Sequence, residues 1–549
     1  MPELPGLITS ALMLILPLPL FVVGFGLGID ADRHPRLMRR LTTGAAGFAL
    51  VCAILAAGAY SLGMTDAKTY FSAPLPARLG LLSISVDVNR LTVLMVLLVA
   101  VVGVIVARYA YTYLDGDTHE GRFHRWLSLT LSAFFMLIAS GNLWEFLIFS
   151  IVTSLFLNHL LAFYRERPVA VLAARKKYFF HRMADASLFA AIALIIRTLH
   201  TSQFAGIAPA LAGTHGPLPE SLQMASGLLV LSAVLKSAQF PFHGWLVQVM
   251  EAPTPVSALL HAGIIYTGAF LLLRMAPIMS RVLWSGDALI IMGLVSITTA
   301  SLMMMTATNI KGSLAYSTCA QMGFMLMECG LGLYSLALLH IVSHSVYKAH
   351  AFLSSGSVVD HYRGPVLPVA PRDATMWTAI GSLIMAALVV MGTGCVVGGP
   401  LLQTAPRIVI TAAISQLLWQ AFNIGKIGVQ RLLWLMISLS ALISAAYFGL
   451  DSLFTTTFGG LWPPAQASAG IVHDGILGLI SLVFAGLLLV QQMRPRTLHH
   501  PIWQAIYVHL YNDLYIDMLF TRLVRRFGPG NHAEPLPVER EDERWEGIS

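Results

Sequence analysis

Charged side chains are scarce in this chain. Asp, Glu, Lys and Arg make up 11% of its 549 residues and hydrophobic types 56%, where a soluble domain is about a quarter charged. That shortage excludes a soluble globular protein and leaves a polytopic membrane protein. Cysteine is equally sparse: Cys52, Cys319, Cys329 and Cys395 are scattered, with no CxxC pair and no histidine at metal spacing. A disulfide framework and a zinc motif are therefore excluded, the four read as small core residues, and no metal or cofactor is expected. The opening MPELP holds an acid but no Lys or Arg, and no A-x-A follows the first apolar run, so that run is expected to be a retained span and not a cleaved signal. Ten-residue stretches of alternating polarity are missing too, which excludes a membrane β-barrel. The formal charge of +7 does not signal nucleic acid, because the basic residues sit in short loops between apolar runs.

Long apolar runs are what the chain has in abundance. Stretches of roughly 20 residues, enough to cross about 30 Å of hydrocarbon, recur along its whole length and predict an all-α polytopic fold of about fifteen transmembrane helices. Basic residues cluster after the first run (Arg33, Arg36, Arg39, Arg40), the fifth (Arg165, Arg167, Arg175, Lys176, Lys177), the eleventh (Arg363, Arg372) and the last (Arg494, Arg496). The loop from Asp451 to Asp474 has neither Lys nor Arg. The positive-inside rule then puts the N-terminus in the periplasm and the C-terminus in the cytoplasm, as an odd number of spans requires.

Against that background, LKSAQFPFHGWLVQVMEAPTPVSALLHAG, Leu235 to Gly263, sets Lys236 about halfway along the seventh run. A charged lysine at mid-membrane costs about 3 kcal/mol on insertion scales, so a functional role is the default reading. Snorkelling is the alternative, but a stem thirteen residues from the outer end of the run cannot reach the interface. Pro241 should break the helix beside the lysine and free carbonyls that only protein or a watered cavity tolerates. His261 lies about two turns into the eighth run. In the eleventh, LHIVSHSVYKAH puts His340, His344 and Lys348 at i, i+4 and i+8, a polar stripe about 12 Å long. A lone buried histidine is more often a hydrogen-bonded core residue than a relay, but three titratable groups in line with a lysine reverse that preference, because histidine and a desolvated lysine both exchange protons near neutral pH. Metal binding is the rival for His-x3-His, and no carboxylate or cysteine accompanies the pair nearby in sequence.

These segments resemble, in order, the motifs of the antiporter-like subunits of respiratory complex I and the large Mrp-type antiporter subunit. KSAQFPFHGWL…PTPVSALLHAG is similar to the KSAQ-P-W…PTPVSALIHA signature, and NIKGSLAYSTCAQMGFM to DIKR-LAYST-SQ-GYM. HIVSHSVYKAHAFLSSGSV resembles H-x3-H-x3-K-A-x-LF-x3-GS, and AARKKYFFHRMAD resembles AA-KAF-x-NR-x-D. The resemblance is dense from about residue 86 to 361 and implies two inverted five-helix repeats. The first would span residues 125–275, with a broken helix carrying Lys236, and the second, divergent, 286–430. Three helices in 1–124 would precede them; two in 431–492, then a cytoplasmic amphipathic segment and polar tail in 493–549, would follow. Lys236, His261, His340, His344 and Lys348 match the family's central proton-relay positions, and Arg182 and Asp185 match an ion-pairing motif.

Two departures matter. The family's fifth-span glutamate, partner of the seventh-span lysine, falls on Ile151, and the lysine-bearing Gly-Phe-Phe-Ser-Lys-Asp segment has no counterpart in VVMGTGCVVGGPLL. Glu145, the one acid inside the fifth run, lies about 9 Å and about 240° away from the missing position and cannot substitute for it. Glu145 is expected within a turn of the periplasmic interface, either as a proton-uptake acid or as an interfacial side chain reaching water, with Asp185 and Glu328 as further candidates. These losses, together with NDLYID at Asn512 to Asp517, resemble the membrane subunits of two-subunit inorganic-carbon transporters of the bacterial inner membrane. That resemblance implies a proton- or sodium-conducting subunit and no enzyme. It would energise CO2 or bicarbonate capture by a soluble, zinc-bearing, carbonic-anhydrase-like partner at the cytoplasmic face. The run from Trp503 to Phe527 is expected to lie along the lipid interface beside that partner, with a disordered polar end after it. The alternatives are a subunit of a complex I or Mrp-type cation/proton antiporter, and a non-conducting anchor whose polar stripe is helix glue.

Overall fold

The computed structural model describes residues 4–63, 68–74, 81–213, 216–357, 376–397, 404–423, 429–463, 471–497 and 500–527. Its principal helices are α1 (Leu4–Ile15), α2 (Pro35–Ser61), α3 (Arg90–Tyr113), α4 (Glu120–Ala139), α5 (Leu143–Leu161), α6 (Pro168–Leu199), α7 (Glu220–Lys236), α8 (Gly244–Gln248), α9 (Thr254–Ala262) and α10 (Thr267–Arg274). They continue with α11 (Leu283–Met304), α12 (Ile310–Gly330), α13 (Tyr334–Leu353), α14 (Met376–Val397), α15 (Thr404–Asn423), α16 (Val429–Phe458), α17 (Ile471–Thr497), α18 (Pro501–Tyr511) and α19 (Ile516–Phe527). Among the described residues ten helical stretches are long and apolar enough to cross a membrane. The expectation of about fifteen also counts α4, α7, α12, α13 and α15, which are shorter or more polar. Arg363, Arg372 and the tail from Pro529 to Ser549 lie outside the described residues.

Side-chain bonds across the helix ends show which loops lie together. At one end, Arg39 meets Asp115 at 2.8 Å, Arg167 meets Glu251 at 3.1 Å and Thr254 donates to Tyr113 at 3.4 Å. At the other, Arg274 meets Asp87 at 2.7 Å, the Gly141 amide donates to the Ser85 carbonyl at 2.8 Å, and Arg90 donates to the Thr457 carbonyl. The second end carries an antiparallel hairpin of β1 (Lys68–Pro74) and β2 (Leu81–Val86), an exception to the all-α expectation. LLSISV alternates apolar and polar side chains as a strand does, and a two-stranded hairpin is marginal alone. Here a bridge from Val86 to Ser140 docks it on the bundle. The two faces are hereafter the basic end and the hairpin end.

Side-chain caps fix where several helices begin: Asn89, Asn142 and Asn309 each accept a backbone amide from the first turn of α3, α5 and α12. Lys176 and Lys177, expected in a loop, are instead inside α6. That helix starts at Pro168, whose fixed φ suits a first turn. α11 and α12 approach through paired glycines: a Cβ on Gly293 would stand 2.4 Å from the Gly323 carbonyl, and one on Gly330 2.6 Å from that of Gly286. Small residues at such a contact let backbones pack closely where lipid supplies no hydrophobic drive. α9 and α10 are buried along their whole length, while α14, α16 and α17 face largely outward. The stretch broken at Gly263 is thus fully shielded, a setting in which membrane backbone tolerates a break.

Candidate functional site

α7 stops at Lys236, five residues before Pro241. Ala238 is left-handed at φ 49° and the Phe240–Pro241 peptide is cis; α8 resumes at Gly244. Lys236 is 2% exposed, with its Nζ 2.6 Å from Asp185 Oδ1 and donating to Ser150 Oγ at 2.7 Å. Arg182 pairs with the other oxygen, Oδ2, at 2.7 Å. The carboxylate missing at Ile151 on α5 is therefore supplied by α6, and Ser150, next to the vacated position, gives the second acceptor. Two further ionisable groups join this cluster that sequence reading missed. Lys177 is buried and donates to the Ser154 carbonyl and, at 2.8 Å, to Ser154 Oγ, while His181 Nδ1 lies 3.3 Å from the same Oγ. Lys177, His181 and Asp185 stand at i, i+4 and i+8, the spacing that flagged the stripe in α13, so the same signal was present in α6.

The second cluster forms where α9 breaks after His261. Gly263, at φ −143° and ψ −77°, ends the helix, and the freed carbonyls of His261 and Ala262 accept from Tyr266 Oη, at 3.0 Å, and from Ser345 Oγ. Tyr266 Oη also lies 2.8 Å from His344 Nδ1. Because the hydroxyl has one hydrogen and gives it to the carbonyl, His344 Nδ1 is the donor in that pair. His344 Nε2 is then a buried atom without a partner. His261 Nδ1 sits 3.0 Å from Thr318 Oγ1, its ring stacked on Phe352 at 4.3 Å. Lys348, fully buried, donates to the Leu314 carbonyl at 2.9 Å. Among the described residues no carboxylate pairs with it.

His340 begins the stripe toward the hairpin end. Its Nδ1 is 3.1 Å from Glu328 Oε2, its Nε2 2.7 Å from Gln321 Oε1, and its ring centroid 6.1 Å from that of His344. Folding α12 against α13 thus brings the carboxylate that sequence proximity did not provide. Among the described residues no group of three His, Cys, Asp or Glu is arranged to hold a metal ion. Gln239, in the break after Lys236, points its Oε1 at Gly323 of α12, the helix that also carries Thr318 and Gln321.

Glu145 sits at the hairpin end, and it is covered. It is 3% exposed, and its Oε2 accepts the Ser85 amide of β2 at 3.2 Å, so the interfacial side chain reaching open water is corrected to a buried acceptor under the hairpin. The C-terminal segment differs as well. It does not merely lie along the surface: Asp517 receives Lys176 Nζ at 2.7 Å and Gln248 Nε2 at 2.6 Å, and a Cβ on Gly244 would stand 2.0 Å from Asp517 Oδ1. Asp513 accepts from Tyr316, and burial holds its carboxyl above the usual range against that bond. The outer face of α19 still presents Met518, Leu519 and Leu523. Asp517→Ala, which leaves buried Lys176 with Gln248 Oε1 at 3.0 Å but without its ion-pair partner, is expected to cost about 3 to 5 kcal/mol. A lowered unfolding midpoint in detergent and new protease cleavage within residues 500–527 would register that loss; if neither changes, lipid alone holds the segment.

The family described as "NADH:quinone oxidoreductase/Mrp antiporter, TM" matches residues 140–404, and "NADH-Ubiquinone oxidoreductase (complex I), chain 5 N-terminus" matches 80–124. The chain is 38% identical, over 95% of its length and 94% of the relative's, to a "Probable inorganic carbon transporter subunit DabB2" of Halothiobacillus neapolitanus. It is 36% identical, over 83% of its length and 87% of the relative's, to a "Probable inorganic carbon transporter subunit DabB" of Hydrogenovibrio crunogenus. Among solved structures, the Mrp complex from Dietzia sp. shares its fold at a TM-score of 0.56 and 19% identity, covering 97% of this chain and 60% of that one.

Proposed function

We infer a function from one premise: the chain belongs to the NADH:quinone oxidoreductase/Mrp antiporter family of membrane proteins, beside the inorganic carbon transporter subunits. On that reading it is the proton-conducting membrane subunit of an inorganic carbon uptake complex in a bacterial inner membrane. Its N-terminus is periplasmic, and its basic end faces the cytoplasm. The observation that carries the reading is the Lys236–Asp185 pair at 2.6 Å in a helix break. A buried ion pair is weak evidence for stability, whereas a membrane lysine beside an interrupted backbone has the makings of a proton-holding site.

The chemistry follows from the bonds. Asp185 and Ser150 stabilise the charged form of Lys236, and Arg182 competes for the same carboxylate, so a small shift of Asp185 between the two cations changes how tightly the lysine holds its proton. A proton arriving at His344 Nε2 makes an imidazolium whose Nδ1–H stays bonded to the Tyr266 hydroxyl, so the tyrosine fixes the ring with Nε2 as the atom that takes up and gives back the proton. Lys348 has only a carbonyl partner, so its charge answers to its neighbours, and His344 is within electrostatic reach of Lys348, His340 and His261.

The partner we propose is a soluble, zinc-bearing, carbonic-anhydrase-like subunit docked at the basic end, where the C-terminal segment shows an apolar outer face. Hydration of CO2 there yields bicarbonate and a proton, and a proton path beside it couples that equilibrium to the membrane gradient. The test is proton flux into dye-loaded proteoliposomes carrying the full chain with its copurified partner, paired with labelled inorganic carbon uptake by cells with and without a protonophore. Protonophore-sensitive uptake that needs this chain is expected. Sodium-dependent flux without carbon uptake would mark a cation/proton antiporter instead, and absence of any flux would leave a membrane anchor.

A further inference from the structure

VVMGTGCVVGGPLL, at the end of α14, holds no lysine, so a path between His340 and the hairpin end must use other groups. Two adjoining cavities lie there. The larger, about 510 Å³, opens onto Glu328, His340, Gln321 and Tyr447 amid largely apolar walls. The smaller, about 170 Å³, is lined by Gly332 and Ser335 at the α12–α13 turn, by Asp451 and Thr455 of α16, and by Trp462 and Pro463 beyond it. Leu333 and Leu336 line both. The bond from Arg90 to the Thr457 carbonyl, two residues past the lining Thr455, puts the smaller cavity on the hairpin-end side of α16.

Asp451 is the group the relay does not use. It is 4% exposed, its Oδ1 has no hydrogen-bond partner, and it faces the smaller cavity. The titratable groups nearest it are Tyr334 of α13 in the same cavity wall and, in the wall of the larger cavity, Glu328 of α12, His340 of α13 and Tyr447 one turn earlier on α16. His340 offsets Glu328 alone, at 3.1 Å. A buried carboxylate with an unsatisfied oxygen, in a polar-walled cavity roomy enough for water, is placed to exchange a proton with that water.

We propose that Asp451 is the proton-loading carboxylate of an outer vestibule, taking a proton from water at the hairpin end and passing it by Tyr447 and intervening water to Glu328 and His340. This rests on the conducting function proposed above, and its test separates the two. In a full-length chain with the four cysteines replaced by serine, Asp451→Cys is expected to react with a membrane-impermeant methanethiosulfonate added outside intact cells, whereas Ala386→Cys, buried in α14, is expected to stay unlabelled. With the native cysteines, Asp451→Asn is expected to lower proton flux about tenfold or more. Asp451→Glu should retain most of the flux, at equal expression and unfolding midpoint, with no dependence on sodium. Failure to label from outside overturns the vestibule whatever the flux. Wild-type flux in the asparagine variant removes the loading role while leaving the conducting function intact, and sodium dependence overturns the proton as the ligand. If the wild-type chain itself does not conduct, the function proposed above fails and the loading role falls with it.

Discussion

Lys236→Ala abolishes proton flux, and Lys236→Arg does so too: this is the expected result in reconstituted vesicles. Alanine removes the site. Arginine keeps a cation opposite Asp185, but a guanidinium does not give up a proton near neutral pH, so a role that needs only charge and a role that needs release part company at this substitution. Asp185→Asn attacks the pair from the other side. It leaves Lys236 with Ser150 and no counter-charge, in a site where losing one member of a buried pair costs about 3 to 5 kcal/mol, so lost flux is expected with a lowered unfolding midpoint. Lys236→Arg, by contrast, should lose flux with its midpoint nearly kept. Wild-type flux in the arginine variant would reduce the lysine to an electrostatic plug.

The stripe on α13 should fail as a unit. His344→Ala and Lys348→Ala are each expected to lower flux about 100-fold or more, since positioned proton transfer contributes that much, and the double variant should be hardly worse than either single one. Members of a serial path are not additive, because the first interruption already stops the current. Tyr266→Phe supplies a graded companion: it keeps the ring and removes the hydroxyl that joins His344 to the His261 carbonyl, so partial loss is expected. Additive, modest losses at His344 and Lys348 would mean that the stripe only packs helices together.

Residue spacing led directly to some of these sites. The interruption at Lys236 was legible from a lysine followed by Pro241, and the stripe of His340, His344 and Lys348 from a four-residue repeat inside an apolar run. Lys177 and His181 carried the same repeat together with Asp185, but they adjoined a basic cluster that reads as a loop. Tyr266 had no comparable signal, because one tyrosine three residues past a glycine break could face anywhere.

By itself the sequence determined that this chain lives in a membrane, that the helix carrying Lys236 breaks, and that Lys236 and Lys348 are buried, since hydropathy, proline and the cost of a charge in hydrocarbon act locally along the chain. Tertiary structure alone decided who partners whom. Asp185 from α6 replaces the acid absent at Ile151, Glu328 from α12 meets His340 across a helix pair, and Asp517 crosses 341 residues of sequence to Lys176. Hydrogen bonds and ion pairs act over about 3 Å, and sequence distance carries no information about which side chains the packing of α6, α12 and α19 brings that close.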